Sequence, residues 1–208
     1  MSPELRKIEE ILYEIGYILI DAKANFQYCY FLNVPGSIER EQYLGNSYEF
    51  RFIRYNHWKM CIIDLSKLYD KKTDAFRLVR LFEEIKKSLD KGILKFDYSF
   101  LDDWENKLNT YKDLIDKIKI RRDKFYAHTA QDREKYDFIS KIEFEEIRKI
   151  IDFTEKIIKD IFHKVLDTEY LIRDLHFKKE RFTKIIDVLV IEKAVRIKKL
   201  TDNIVNRK

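Results

Sequence analysis

Apolar residues recur at alternating steps of three and four through long stretches of this chain, and few residues interrupt them. The first such series is Leu5, Ile8, Leu12, Ile15, Leu19, Ala22, Phe26 and Cys29. This spacing places the side chains on one face of an α-helix. The 208 residues include only 4 glycines and 2 prolines, too few for the many turns of a sheet protein. We therefore predict an all-α protein, an antiparallel bundle of long helices.

The same pattern predicts six helical segments joined by short connections. The first starts at the capping residue Ser2 and stops before Pro35, and residues 34–46 are predicted to form a loop. The later helices are predicted over 47–70, from Thr73 to Gly92, and over 101–128, 142–166 and 177–206. We assign residues 1–167 to the helical bundle and residues 168–208 to a C-terminal helical extension with a basic end.

Cysteine usage and the lack of long apolar runs bear on location and on metal binding. Cys29 and Cys61 are the only cysteines and have no CxxC spacing, so a cysteine-based metal site is not expected. The sequence begins with no recognisable secretory leader, and no uncharged apolar run reaches the ~18 residues of a membrane span. We expect a soluble, cytoplasmic protein with two free thiols, no cofactor and no membrane partner.

One arginine interrupts the apolar face of the fourth predicted helix. That face comprises Leu101, Trp104, Leu108, Tyr111, Ile115, Ile118, Arg122 and Phe125. A guanidinium on such a face must leave water, which costs free energy unless the charge is paired. Arg122 therefore has an acidic structural partner or faces a partly wet cleft, and the pattern leaves both interpretations open.

A histidine follows Arg122 at the predicted C-terminal end of the same helix. His128 can take up or release a proton near neutral pH, and Arg122 can bind a phosphate through two nitrogens. The flanking run 117–124, which includes Lys119 and Lys124, has five basic residues against one acid. These residue types suit phosphodiester cleavage in RNA, which contains its own nucleophile, the ribose 2′-hydroxyl, and needs no metal.

Spacing alone is weak evidence, because the chain repeats it elsewhere. Arg51 precedes His57 with the same gap of five residues, in a segment typical of an ordinary packed helix. We interpret His57, His163 and His176 as structural, since they show no HExxH or comparable metal-binding spacing.

The segment RRDKFYAHTAQD (121–132) resembles the signature of the HEPN superfamily, in which an arginine and a polar residue precede a histidine late in a long helix. The form RDKxxAH is most similar to HEPN domains of bacterial abortive-infection and toxin–antitoxin systems. LSKLYDKKTDAFRLVRLFEEI (65–85) also resembles the region that precedes the motif in such domains. The resemblance covers about residues 1–167.

The resemblance implies a helical homodimer in which both motifs face a shared cleft. It also implies a metal-independent endoribonuclease that leaves 2′,3′-cyclic phosphate ends and acts as a toxin or anti-phage effector. By position, Arg122 and His128 would be catalytic and Asp123 would orient them or the substrate. Lys124 and Tyr126 would contact the RNA, Tyr126 by stacking on a base. A cognate antitoxin protein is a further implied partner.

Two adjacent arginines fit the tolerated spacing. The apolar face and the Arg-Asp order favour Arg122 as the catalytic residue, which leaves Arg121, like Lys119, as a predicted RNA contact. Some HEPN toxins have a tyrosine two places after the histidine, to which an antitoxin adds nucleotides. Thr129 and Ala130 follow His128 here, so this mode of control is not expected.

Two alternatives to the nuclease remain open at this point. The protein could be a HEPN dimer that binds RNA, nucleotides or a partner without cleaving, or a helical scaffold in which Arg122 pairs with an acid. The basic end 193–208, with six basic residues against one acid, is compatible with dimerisation, RNA binding or antitoxin docking.

Overall fold

A computed structural model describes residues 2–69, 77–127, 133–170 and 177–205. Within these ranges the chain forms nine α-helices, one π-helical segment and no strand, which confirms the predicted all-α fold. The α-helices are α1 (Pro3–Asn33), α2 (Ile38–Asn46), α3 (Tyr48–Tyr69), α4 (Leu78–Asp90), α5 (Tyr98–Thr110), α6 (Lys112–Arg121), α7 (Arg133–Ile139), α8 (Phe144–Leu166) and α9 (Lys179–Val205). The π-helical segment, Arg122–Ala127, follows α6 directly.

Helix α1 is the centre of the bundle and contacts α3, α4 and α8. It runs antiparallel to α8, since Tyr13 packs against Phe162 near one end and Lys23 pairs with Glu155 at 2.8 Å nearer the other. The predicted apolar face of α1 is fully buried at Ile8, Leu12, Ile15, Leu19 and Ala22. Burial of this face drives the association of the helices, because each apolar side chain removed from water contributes about 1.5–3 kcal/mol.

The helix cap at the start of the chain follows the prediction. The loop predicted over 34–46 is wrong over most of its length. Ser2 accepts a hydrogen bond from the Leu5 amide at 3.2 Å, as expected for the start of α1. Ser37 caps an unpredicted helix, α2, in the same way by accepting from the Arg40 amide at 3.3 Å. The cap and a buried residue, Leu44, stabilise α2 despite Gly45 in its last turn.

The single helix predicted over 101–128 is also wrong, because the structure divides it into α5, α6 and the π-helical segment. The backbone leaves α-helical geometry at Tyr111 (φ −94°, ψ 7°), just after Thr110, whose hydroxyl donates to the carbonyl of Lys107 at 2.7 Å. The Tyr111 ring stacks on Phe153 of α8, with centroids 4.8 Å apart. The break lets α5 and α6 follow the bundle surface separately.

Thr73, the predicted cap of the third helix, lies outside the described residues.

A second, smaller apolar cluster attaches α9 to the bundle. Its buried members are Phe31, Leu32, Leu44 and Ile186. Arg40 of α2 also pairs with both carboxylate oxygens of Asp187, at 2.6 and 3.0 Å. The N-terminal half of α9 is therefore docked, whereas residues 191–204 are exposed. In the described part of the chain, no helix, α9 included, is long and apolar enough to cross a membrane.

Candidate active site

The motif segment departs from ordinary α-helical geometry. Residues Arg122–Ala127 form a π-helical segment at the end of α6. A π-helix places an extra residue in each turn, which redirects the side chains that follow, and such segments are frequent at functional sites. His128 lies outside the described residues. The structure thus defines the arginine end of the motif.

The Arg122 side chain is held by its neighbour in sequence. Its Nε donates to Asp123 Oδ1 at 2.7 Å, and the two side chains are 25% and 48% exposed. Because water reaches both groups, this pair resembles a surface salt bridge, which contributes only about 0–1 kcal/mol to stability. The carboxylate fixes the orientation of the guanidinium without removing it from solvent.

Arg121 has a different environment, although it is the adjacent residue. Its Nε donates to the Ser140 carbonyl at 2.7 Å, and its Nη2 donates to the Asp137 carbonyl at 3.3 Å and pairs with the Asp137 carboxylate at 2.8 Å. The guanidinium also lies over the Phe125 ring, 4.6 Å from its centroid. These contacts connect the end of α6 to the end of α7. Contact of Arg121 with RNA stays a prediction.

Tyr126 is part of the packing behind the motif. Its ring meets Tyr55 edge-on, with centroids 6.2 Å apart, and the Trp58 indole donates a hydrogen bond to its hydroxyl. Burial raises the pKa of Tyr126 to about 12, an effect that the charge of Arg121 partly opposes. Tyr126 is therefore a neutral, anchored phenol, and its neighbour Tyr55 is 48% exposed. Stacking of Tyr126 on a base stays a prediction.

The structure separates the two lysines that were predicted to bind RNA. The ammonium group of Lys124 lies over the Tyr136 ring of α7, 4.9 Å from its centroid. Lys119 lines a different pocket, with Tyr69 and Phe82 among its walls. The two lysines therefore have different surroundings, and contact of either one with RNA stays a prediction.

The motif and the fold agree with a comparison against known protein families. The profile of the HEPN AbiU2 family matches residues 6–184, which is most of the chain and includes the π-helical segment. The chain belongs to the HEPN AbiU2 family. This is a HEPN-type abortive-infection family, as the resemblance of the motif implied. The match extends past residue 167, the predicted end of the bundle, into α9. Searches of curated proteins and of solved structures give no significant match.

This AbiU2-family protein also forms a pocket between α3, α1 and the end of α6, which was not predicted from the sequence. Its volume is about 360 Å³. Its lining includes Arg51, Arg54, Tyr55 and Trp58 of α3, together with Arg121. The signal was present in the sequence, because positions separated by three, four and seven residues share one face of a helix. This face of α3 forms a pocket only because α3 packs against α6, and that packing is visible in the structure alone.

The two histidines that the structure describes, His57 and His163, lie outside the motif and have structural or surface positions. His57 Nδ1 lies 2.8 Å from Asn25 Oδ1, and the ring stacks on Tyr28 with centroids 4.8 Å apart. Burial lowers the pKa of His57, which favours the neutral ring. His163 is exposed on α8. His176 lies outside the described residues.

The two cysteines of the AbiU2-family chain are buried free thiols, as predicted. Burial raises the pKa of Cys29 to about 12, although nearby Arg54 lowers it in part, and burial raises the pKa of Cys61 as well. Both groups are therefore protonated and unreactive at neutral pH. Among the described residues, no group of three or more histidine, cysteine or carboxylate side chains is placed to hold a metal ion.

Proposed function

We propose that this AbiU2-family protein is a metal-independent endoribonuclease that acts as a toxin or anti-phage effector in abortive infection. The observation that carries the proposal is the position of Arg122. It opens a π-helical segment at the end of α6, remains 25% exposed, and is oriented by Asp123. An arginine held in this way can exchange water for a phosphate, because its charge has not been buried in the core.

The proposed reaction is transesterification within the RNA. His128 removes the proton from a ribose 2′-hydroxyl, and the 2′-oxygen attacks the adjacent phosphorus. The bond from phosphorus to the 5′-oxygen breaks, and that oxygen takes a proton from water and leaves as a 5′-hydroxyl, while His128 returns its extra proton to solvent. The products are a 2′,3′-cyclic phosphate and a free 5′-hydroxyl. Arg122 stabilises the negative charge that develops on the phosphoryl oxygens, and Asp123 keeps the guanidinium in position.

The test is cleavage of total RNA and transfer RNA by purified protein in excess EDTA. We expect wild-type protein to cleave and His128→Ala to be inactive. The new ends should resist phosphatase until acid opens the cyclic phosphate. A requirement for added divalent metal, or 3′-hydroxyl ends, would contradict the proposal. RNA binding without cleavage would favour the alternative, a HEPN dimer that binds but does not cut.

We also propose that the active form is a homodimer that uses the exposed start of α3. Tyr48 and Phe52 are 70% and 58% exposed, and their rings stack on each other. They lie beside the pocket that Arg51 and Arg54 line, called here the arginine pocket. Large apolar groups exposed together are typical of an interaction surface. Sedimentation velocity should show a dimer for wild-type protein and a monomer for Phe52→Ser. The matched control is Ile204→Ser, since Ile204 of α9 is 63% exposed. Dissociation by this control alone would instead assign the interface to α9.

A further inference from the structure

The pocket beside the motif contains two arginines without acidic partners in the described part of the chain. Arg51 is exposed and Arg54 is half-buried, and neither forms an ion pair with any described residue. Several other basic residues near α1 and α6 are paired, such as Lys23 with Glu155 and Lys117 with Glu146. Arg51 and Arg54 therefore retain the capacity to bind an external anion.

The single carboxylate of the pocket does not neutralise these arginines. Glu143 lies at the start of α8, where its amide donates to the Glu146 carboxylate at 2.8 Å and its own carboxylate pairs with Lys141 at 3.0 Å. Arg121 also lines the pocket, but its guanidinium is already paired with the Asp137 carboxylate at 2.8 Å, so the uncompensated positive charge comes from Arg51 and Arg54. The pocket is thus positively charged and suited to a phosphate.

Aromatic side chains line the same pocket. Tyr55 is 48% exposed, whereas Trp58 is half-buried and packs edge-on against Phe144, with centroids 5.1 Å apart. An exposed aromatic ring beside cations is the combination that single-stranded RNA-binding sites use, with bases stacked on rings and phosphates on arginines. The volume of about 360 Å³ is at the small end of ligand pockets, which span about 300–1,000 Å³.

The pocket adjoins the proposed reaction centre. Helix α3 contacts the π-helical segment, and Tyr55 meets Tyr126 of that segment edge-on. Arg121, which precedes Arg122, lines the pocket wall. A strand of RNA with its phosphate at Arg122 can therefore place a neighbouring nucleotide in the pocket.

We propose that this pocket binds one nucleotide of the RNA substrate next to the scissile phosphate, with Arg51 and Arg54 on its phosphate and Tyr55 stacked on its base. The inference rests on the proposed function, since it takes RNA as the ligand of the same site. It adds substrate-binding residues from α3, outside the motif. A free nucleotide has the same phosphate and base chemistry, so the test includes both ligands.

The test measures the affinity of a fluorescent single-stranded RNA of about 12 nucleotides by anisotropy, in the His128→Ala background to prevent cleavage. The double change Arg51→Gln and Arg54→Gln should weaken binding about 10-fold. The slope of log Kd against log salt should fall by about 0.7 for each phosphate that the variant no longer binds. The matched control is Arg6→Gln. Arg6 is an exposed arginine near the other end of α1, about 35 Å along the helix from Cys29 at the pocket.

A second pair of variants tests the aromatic contact. Tyr55→Leu should weaken RNA binding about 10-fold, whereas Tyr55→Phe keeps the ring and should bind like the parent. Equal Kd values for all pocket variants and Arg6→Gln would overturn the proposal. The proposal would also be overturned if the pocket variants lost adenosine monophosphate binding while their RNA affinity stayed unchanged. Thermal unfolding midpoints that match the parent show that the variants are folded.

The two proposals fail in different ways. Cleavage by wild-type protein together with unchanged RNA affinity of the pocket variants would overturn the pocket and leave the nuclease. Absence of cleavage together with weakened binding by the Arg51 and Arg54 double variant would overturn the nuclease and leave the pocket as an RNA site.

Discussion

Replacement of Arg122 by alanine is expected to slow RNA cleavage by about 100- to 1,000-fold. This is the usual effect of removing one hydrogen-bond donor that stabilises the charge of the transition state. Replacement of His128 by alanine is expected to slow it by about 100- to 10,000-fold, because the 2′-hydroxyl then lacks its base. The measurement is the single-turnover cleavage rate of a fluorescent RNA in EDTA. Both variants should retain RNA affinity within a few-fold, since the arginine pocket on α3 is intact.

The stability of the same variants separates catalysis from packing. In the Arg122–Asp123 pair the two side chains are 25% and 48% exposed, so loss of this pair in Arg122→Ala should lower the free energy of unfolding by no more than about 1 kcal/mol. Asp123→Asn should have an intermediate effect on the cleavage rate, because it weakens the orientation of the guanidinium. An Arg122→Ala protein that unfolds would support the scaffold alternative. Cleavage at the wild-type rate by both alanine variants would exclude the proposed roles.

Replacement of Arg121 by alanine is expected to lower the free energy of unfolding by about 1–3 kcal/mol, measured by urea denaturation. The change removes charged hydrogen bonds to the carbonyls of Ser140 and Asp137 and leaves these acceptors unpaired. It also removes the cation over the Phe125 ring. The connection between α6 and α7 should loosen, and cleavage should fall with it.

The adjacent arginine is the natural control for this effect. Arg121→Lys retains the charge but cannot reproduce the planar set of donors, so it should recover only part of the stability. Arg122→Ala should show the opposite profile, with the free energy of unfolding nearly unchanged and cleavage slowed by about 100- to 1,000-fold. If Arg121→Ala abolished cleavage while leaving the unfolding curve unchanged, the catalytic role would belong to Arg121 and not to Arg122.

The candidate site was partly accessible from the sequence. The motif with Arg122 and Asp123 was identified directly, because an arginine on an apolar helical face is conspicuous. Its neighbour Arg121 also fits the spacing to the histidine, and it was predicted to contact RNA because the apolar face favoured Arg122 as the catalytic residue. In the structure the two guanidinium groups point to different partners, one to Asp123 and the other across to α7. Successive residues in a helix project about 100° apart, and packing decides what each one meets.

The departures from the predicted helices have a common cause. Residues 34–46 contain Pro35, Gly36 and Gly45, which favour a loop by local propensity, yet α2 forms because Leu44 is buried in the second cluster. The break at Tyr111 follows from the stacking of its ring on α8. In both places a tertiary contact outweighed a local preference of about 1 kcal/mol.

By itself, the sequence determined the all-α class, the start of α1 at Ser2, and the position of the HEPN motif. These features depend on residues within a few places of each other, through helical periodicity and capping. Only the tertiary structure placed Arg51 and Arg54 beside Arg121, which follows Arg51 by 70 residues in the chain. That proximity depends on the packing of α3 against α6, and the residue pattern of either helix alone does not predict it.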